Sequence, residues 1–307
     1  MTPLRKALED YLRIRRQLGY QLKLDGQLLE DFVGFLEQAG ATRITTELAL
    51  DWAKLPAGAR PHRWRQRLGI VRAFARYLAT IDPSSEVPSS DLLPARAVRV
   101  APHVYSDAET VALIGAARAL SPVLRAATFE TLIGLLAAAG LRLGEALSLD
   151  RQDVDLKSGA LHVHAKRGKQ REVPVHATTT KALGKYARLR DRHWPEPNTP
   201  AFFVSTRGQR LTASEVHYTF PRLIRQIGLQ GRGHRATPRP HDFRHAFAVR
   251  TLLDWHQADA EVDRKLPLLS TYLGHRDPAD TQWYLQAVPE LLALVAKRLD
   301  GVLGEQS

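Results

Sequence analysis

Four short stretches hold residues whose types and spacing could do chemistry. In the run His241-Asp242-Phe243-Arg244, His241 and Arg244 stand three apart. On a helix that spacing puts both on one face, while Phe243 and Phe247 turn toward a core. An imidazole beside a guanidinium is a poor metal site and a good phosphate site. His241 and His245 have zinc-ligand spacing, but Asp242 stands where the metalloprotease pattern needs Glu. In Gly140-Leu141-Arg142-Leu143-Gly144-Glu145-Ala146-Leu147, Arg142 falls between two helical stretches, and Glu145 is placed to orient it. Lys166-Arg167-Gly168-Lys169-Gln170-Arg171 puts four cations at one turn, which suits a phosphate backbone. Leu273-Gly274-His275 is followed, nine residues after the histidine, by Tyr284. Singly, each stretch also fits ordinary structure: a surface arginine, a solvated loop, a core tyrosine.

These residues need elements to position them. Residues 106–119 and 121–139 read as helices, the first opened by the Ser106/Glu109 capping-box pattern. Residues 160–166 and 171–176 alternate apolar and polar around Arg167-Gly168-Lys169, which predicts a β-hairpin with Lys166 at the edge of its turn. Helical patterns resume at 178–192, 212–228, 241–255 and 264–273. Beyond Tyr284, Val288, Leu291, Leu292, Leu294, Val295 and Leu299 recur at helical spacing behind Pro289.

The first part of the chain reads differently. Leu4, Leu8, Tyr11, Leu12 and Leu18 suit one apolar helix face, and Leu28–Leu36 a second helix introduced by Asp25. Thr45 or Thr46 caps a short third helix, and Trp64, Leu68, Val71, Ala75 and Leu78 stripe a fourth. Arg65, Arg72 and Arg76 lie on another face of that fourth helix and are the expected DNA contacts here. Pro and Ser crowd residues 83–103, so the expected division is a helical domain over 1–82, a linker over 83–103 and a second domain over 104–307.

Composition narrows the classes. The 307 residues contain no cysteine, which excludes disulfides, thiolate nucleophiles and Cys-ligated metal. The longest apolar window, Thr131–Leu141, is about half a membrane span, and charged residues interrupt the N-terminus, so a cytoplasmic protein is expected. Forty-four Lys and Arg against 32 Asp and Glu give +12, the balance of a protein with a polyanionic partner. Residues 52–81 and 216–241 contain no acid, which suggests two surfaces gripping one long polyanion, clamp-fashion. No Ser-His-Asp motif, P-loop or dinucleotide fingerprint is present.

In this order and spacing, the motifs resemble the tyrosine recombinase family, the phage-integrase-like site-specific recombinases. The family signature is an Arg in G-L-R-x-x-E-x-L, a Lys on a β-hairpin, H-x-x-R, L-G-H and a Tyr about nine residues on. The matching residues are Arg142, Lys166, His241 with Arg244, His275 and Tyr284. The resemblance spans nearly the whole chain and implies a mainly α fold with a small β-sheet: a helical core-binding domain, then a mixed α+β catalytic domain ending in a helix. It implies Tyr284 as nucleophile, Arg142 and Arg244 as clamps on the phosphate oxygens, Lys166 as general acid, His241 as proton acceptor and His275 as a phosphate contact. A 3′-phosphotyrosine, a Holliday junction and religation would follow, with no metal or small-molecule cofactor. The implied partners are double-stranded DNA carrying specific sites and three further copies of the chain, a homo-tetramer on two sites, with a related recombinase as an optional member. Arg167 and Lys169 join the expected DNA contacts. A long 244–275 interval and the run Leu285-Gln286-Ala287-Val288-Pro289-Glu290 look more like members borne on transposons or integrative elements than Xer-type ones. The alternatives are type IB topoisomerase-like relaxation and a non-catalytic DNA-binding accessory protein.

Overall fold

The computed structural model describes residues 2–59, 61–93, 102–164, 170–196, 198–231, 237–258, 262–274, 277 and 281. Two compact units divide the chain, residues 1–99 and 100–307.

The first unit holds four helices: α1 (Pro3–Gln17), α2 (Lys23–Gln38), α3 (Thr46–Lys54) and α4 (Pro61–Leu78). The Thr2 and Thr45 hydroxyls cap α1 and α3 by accepting from backbone N–H groups one turn on. Phe32, Trp52 and Phe74 are fully buried at the centre, among Leu8, Leu29, Leu36, Leu68 and Val71. Arg67 lies over the Trp52 ring at 3.6 Å and donates to the Trp52 carbonyl, so one arginine of the basic stretch serves the core. Two details depart from the sequence pattern. Leu18 is 67% exposed and stands at the C-cap, just past the end of α1 at Gln17. Asp25 sits inside the first turn of α2, facing the helix dipole, rather than ahead of it.

The expected linker also differs. Residues 83–93 pack on this first unit: Ser85 is buried, its hydroxyl accepting from the Ile44 N–H, and Leu93 enters the core. Arg72 donates to the Pro88 and Ser89 carbonyls at 2.7 and 2.6 Å, and Arg65 to that of Leu93. This segment lies outside any helix or strand, and its prolines supply no N–H donors; guanidinium groups on α4 donate to its carbonyls instead. Two of the three arginines expected at DNA, Arg65 and Arg72, therefore hold this segment, whereas Arg76 is exposed.

In the second unit α5 (Asp107–Arg118) opens with the Ser106/Glu109 capping box. The nearly all-apolar α6 (Val123–Ala139) follows, and it packs against α5, α8 (Ala177–His193) and α10 (Asp242–Gln257). A helix apolar all round belongs in a core. After the short α7 (Leu143–Ser148) come three antiparallel strands in the order β1 (Val154–Asp155), β2 (Ala160–His164), β3 (Gln170–Pro174). Leu161 pairs with Val173 and Val163 with Arg171, so these four share the inner face while His162, His164 and Glu172 face outward. α9 (Ala213–Gln226) and α11 (Val262–Leu273) complete the described elements; α10 and α11 meet through Val249, Leu252, Leu269 and Leu273. The architecture is mainly helical with one small sheet, as expected.

Among the described residues no helix is long and apolar enough to cross a membrane. No group of three or more His, Asp or Glu among them could hold a metal ion. The expected hairpin turn with Lys166, Arg167 and Lys169 lies outside the described residues, as do His275, Tyr284 and the apolar stripe of 288–299.

Candidate active site

The site grows from the end of α6. Gly140 terminates that helix in the left-handed region at φ 58°, and a Cβ there would lie 2.7 Å from the Phe247 ring. Only glycine turns the chain here without displacing the aromatic. Arg142 then stands immediately ahead of α7. Its backbone N–H donates to Glu145 Oε2 at 3.0 Å and its Nη1 to Oε1 at 2.8 Å. The G-L-R-x-x-E spacing thus makes Glu145 a cap and an orienter of Arg142 at once.

Arg142 is half-exposed, 39% by side chain, and its Nη2 donates to the Gly274 carbonyl at 3.1 Å. Arg244, on the first turn of α10, is only 1% exposed. It donates from Nη1 to the Gly140 carbonyl at 3.0 Å and from Nη2 to the Leu273 carbonyl at 2.6 Å. Guanidiniums 102 residues apart in sequence therefore grip consecutive carbonyls, Leu273 and Gly274, just ahead of His275. The structure brings Arg142, Arg244 and the approach to His275 together at one point.

His241 sits at the N-terminal end of α10, its ring against that of His245 at 4.8 Å between centroids. It keeps a solvent-exposed edge. Loss of water on its other sides, then the nearby Arg244 and Arg239 charges, hold its imidazole below the ordinary value. It is thus biased toward the neutral form that can accept a proton. The turn that carries it is braced by Tyr105, whose ring stacks on Phe243 at 4.1 Å and whose hydroxyl donates to the Arg239 carbonyl. Asp242, fully buried, accepts from the Arg239 N–H at 2.8 Å.

Arg171 is the residue that sequence reasoning misplaced, as one of four cations at a solvated turn. Its side chain is 14% exposed and donates from Nη1 and Nη2 to the two oxygens of Glu145, at 3.0 and 2.9 Å. The signal was the strand period: Arg171 is two residues from Val173 and so shares its inward face. Burial by itself would push the Glu145 carboxyl up. Hydrogen bonds and charge from Arg171 and Arg142 outweigh it and hold the group at about 2.

Residues 106–290 match the family model described as the phage integrase family. The chain belongs to that family. It is 44% identical over 307 residues to a protein of Sinorhizobium fredii (strain NBRC 101917 / NGR234) named as an integrase/recombinase, y4rB, with 98% of each chain covered. Over 228 residues it is 30% identical to the tyrosine recombinase XerC of Azotobacter vinelandii, covering 74% of this chain and 70% of that one. Two solved structures share the fold. One is the Tn1549 transposon integrase in complex with transposon right-end DNA, with TM-score 0.66, 17% identity, and 97% and 99% of the two chains covered. The other is the XerH site-specific recombinase bound to palindromic difH substrate, with TM-score 0.66, 18% identity, and 88% and 77% covered. The protein is accordingly a tyrosine-type site-specific recombinase, an enzyme of DNA strand breakage and rejoining. The relaxation and accessory readings are not favoured beside it.

Proposed function

We propose that this recombinase cleaves DNA with Tyr284 as nucleophile and the Arg142, Lys166, His241, Arg244, His275 set around the scissile phosphate. The observation that carries this reading is the convergence of Arg142 and Arg244 on the Leu273 and Gly274 carbonyls, one step from His275. The phenol oxygen of Tyr284 attacks phosphorus, and its proton passes toward His241. The bond to the 5′ oxygen breaks, and Lys166 protonates that leaving group. Arg142 and Arg244 neutralise the non-bridging oxygens as charge builds on the phosphorane, and His275 adds a hydrogen bond. Arg244 is closed to solvent, so its contact requires the atoms above it to part for DNA. The product is a 3′-phosphotyrosine; the 5′ hydroxyl of a partner strand reverses the step, and two exchanges pass through a Holliday junction. The phosphotyrosine keeps the energy of the broken bond, so neither ATP nor a metal is called for.

Competing tyrosines are poorly placed for attack. The Tyr272 hydroxyl is spent on the Pro174 carbonyl, and burial pushes it up to about 12. Tyr218 lies beneath the Arg222 guanidinium and accepts from it. The deciding experiment is Tyr284→Phe on a nicked site. DNA binding should persist while the covalent adduct disappears; a surviving adduct refutes the assignment.

Integration or transposition of a mobile element, in the cytoplasm, is the reading that fits a relative named as an integrase/recombinase and a fold shared with a transposon integrase. Assembly as a homo-tetramer on two sites follows from the chemistry of paired exchanges. The stripe Val288–Leu299 is the segment we assign to contacts between copies, helix-in-groove style. A chain ending after Gln286 should bind one site normally and lose cooperative assembly on two. If it unfolds, the stripe belongs to its own core.

A further inference from the structure

We propose that Arg171 is a positioning residue of the cleavage site: its guanidinium locks Glu145, and through it Arg142, to the backbone that leads to His275. This rests on the reading of the site given above and extends it to a residue with no role there.

Each Glu145 oxygen receives one donor from Arg142 and one from Arg171. Glu145 is only 7% exposed, so water does little to replace a lost donor. Arg171 spends its third direction on α11, donating from Nε to the Tyr272 carbonyl at 3.0 Å. The backbone of Gly274 lies flat on the same guanidinium: a Cβ there would stand 2.9 Å from Arg171 Nη1, and φ is +67°. The glycine of Leu273-Gly274-His275 is thus what lets the chain approach Arg171. Three separate segments meet on one side chain. They are β3; the start of α7, which Arg142 immediately precedes; and the end of α11, which precedes His275 in sequence.

A fork is required for this. Lysine offers one nitrogen and cannot serve two carboxylate oxygens and a carbonyl in fixed directions. Without Arg171, Glu145 would turn toward Arg142 alone, and the Gly274 carbonyl that holds Arg142 Nη2 would lose its backing. Arg142 would then lose the fixed orientation that aims its remaining N–H groups at a phosphate. Arg171 touches no reacting atom in this scheme. The competing view makes it an ordinary phosphate contact like its neighbours in the basic turn.

The test uses the full chain on a nicked recombination site and reads affinity at several salt concentrations beside the rate of adduct formation. For Arg171→Met, affinity should stay within about 2-fold and the salt slope should not change, while adduct formation falls by about 30-fold or more. In the Glu145→Gln background the same change should cost less than about 3-fold further, because the two residues act as one unit. A salt slope reduced by about one, with affinity falling as much as rate, would make Arg171 a phosphate contact and overturn the proposal. Losses that multiply across the two backgrounds would also overturn it. Should Arg171→Met fail to fold, Arg171→Lys, which keeps the charge and the buried stem but loses the fork, is read by rate against affinity: adduct formation falling by about 30-fold or more at affinity within about 2-fold supports the proposal, and a near-native rate overturns it. Tyr284→Phe runs alongside. An adduct surviving there overturns the reading of the site itself. Loss of the adduct there, with wild-type rates in the Arg171 variants, overturns this inference alone.

Discussion

At the scale of single residues, the two arginines of the site are not equivalent. Arg244 is buried and holds the Gly140 and Leu273 carbonyls together, whereas Arg142 reaches the same region from a half-exposed position. Exchange for Lys removes the fork in both. Arg244→Lys should lower unfolding free energy by about 2–3 kcal/mol, since a buried carbonyl loses its donor. Arg142→Lys should cost about 1 kcal/mol or less. Both should abolish most adduct formation. Urea denaturation separates them, and equal stability losses would contradict the difference in burial. Glu145 makes a second prediction. Its folded value, about 2, lies below that of a free carboxylate. Its stabilisation is therefore complete above the unfolded range, near pH 4.5, and is lost as pH falls from there toward 2. The shift corresponds to about 3 kcal/mol. Between about pH 4.5 and 2.5 the denaturation midpoint of Glu145→Gln should fall less steeply than that of the native chain. Parallel curves would mean that the Arg142 and Arg171 contacts do not persist in solution.

At the scale of elements, the turn after α6 is the most constrained piece of the site. Gly140→Ala forces a Cβ into the left-handed region and against the Phe247 ring. A cost of about 1–2 kcal/mol from backbone alone is expected, with more from displacement of the ring. Because the Gly140 carbonyl is an Arg244 partner, adduct formation should fall beyond what reduced stability explains. Measuring the rate well below the melting temperature tests this, and a normal rate there would dissociate the turn from the chemistry. This turn also marks the limit of what the sequence discloses. The helices of both units were legible, because their apolar residues recur with the helical period, and so was the β2–β3 hairpin, because its positions alternate. The two-residue β1 is too short to carry a period. Arg171 reads first as charge at a turn, although its place two residues before Val173 sets it on the inward face of the strand. The carbonyls that hold Arg142 and Arg244 belong to Gly140, Leu273 and Gly274, inside runs the sequence marks out, but a backbone carbonyl is the same at every residue, so the pattern does not say which of them the arginines grip. Residue types named the candidates, and only the fold says which backbone atoms fix them.

At the scale of the whole molecule, the two units each have their own core, and the question is which charges they offer to DNA. The proposal that both grip one site rests on two acid-free stretches, 52–81 and 216–241. The first of these is not uniformly available. Arg67 is buried on Trp52, and Arg72 and Arg65 are engaged with carbonyls of residues 88–93; Arg76 and Arg63 are exposed. The Pro88 and Ser89 carbonyls would lose two donors if Arg72 turned to a phosphate, and replacing them costs about 1–2 kcal/mol in stability. Among the described residues Arg76 gives up no such bond. Each phosphate neutralised contributes about 0.9 to the slope of log affinity against log salt. Arg76→Gln should therefore reduce that slope by about one between about 50 and 200 mM salt and leave the melting temperature nearly unchanged. Arg72→Gln should do the reverse, lowering stability while the slope moves much less. A slope that falls equally in both variants would mean that DNA draws Arg72 away from residues 88 and 89, and that this segment is released whenever the first unit binds.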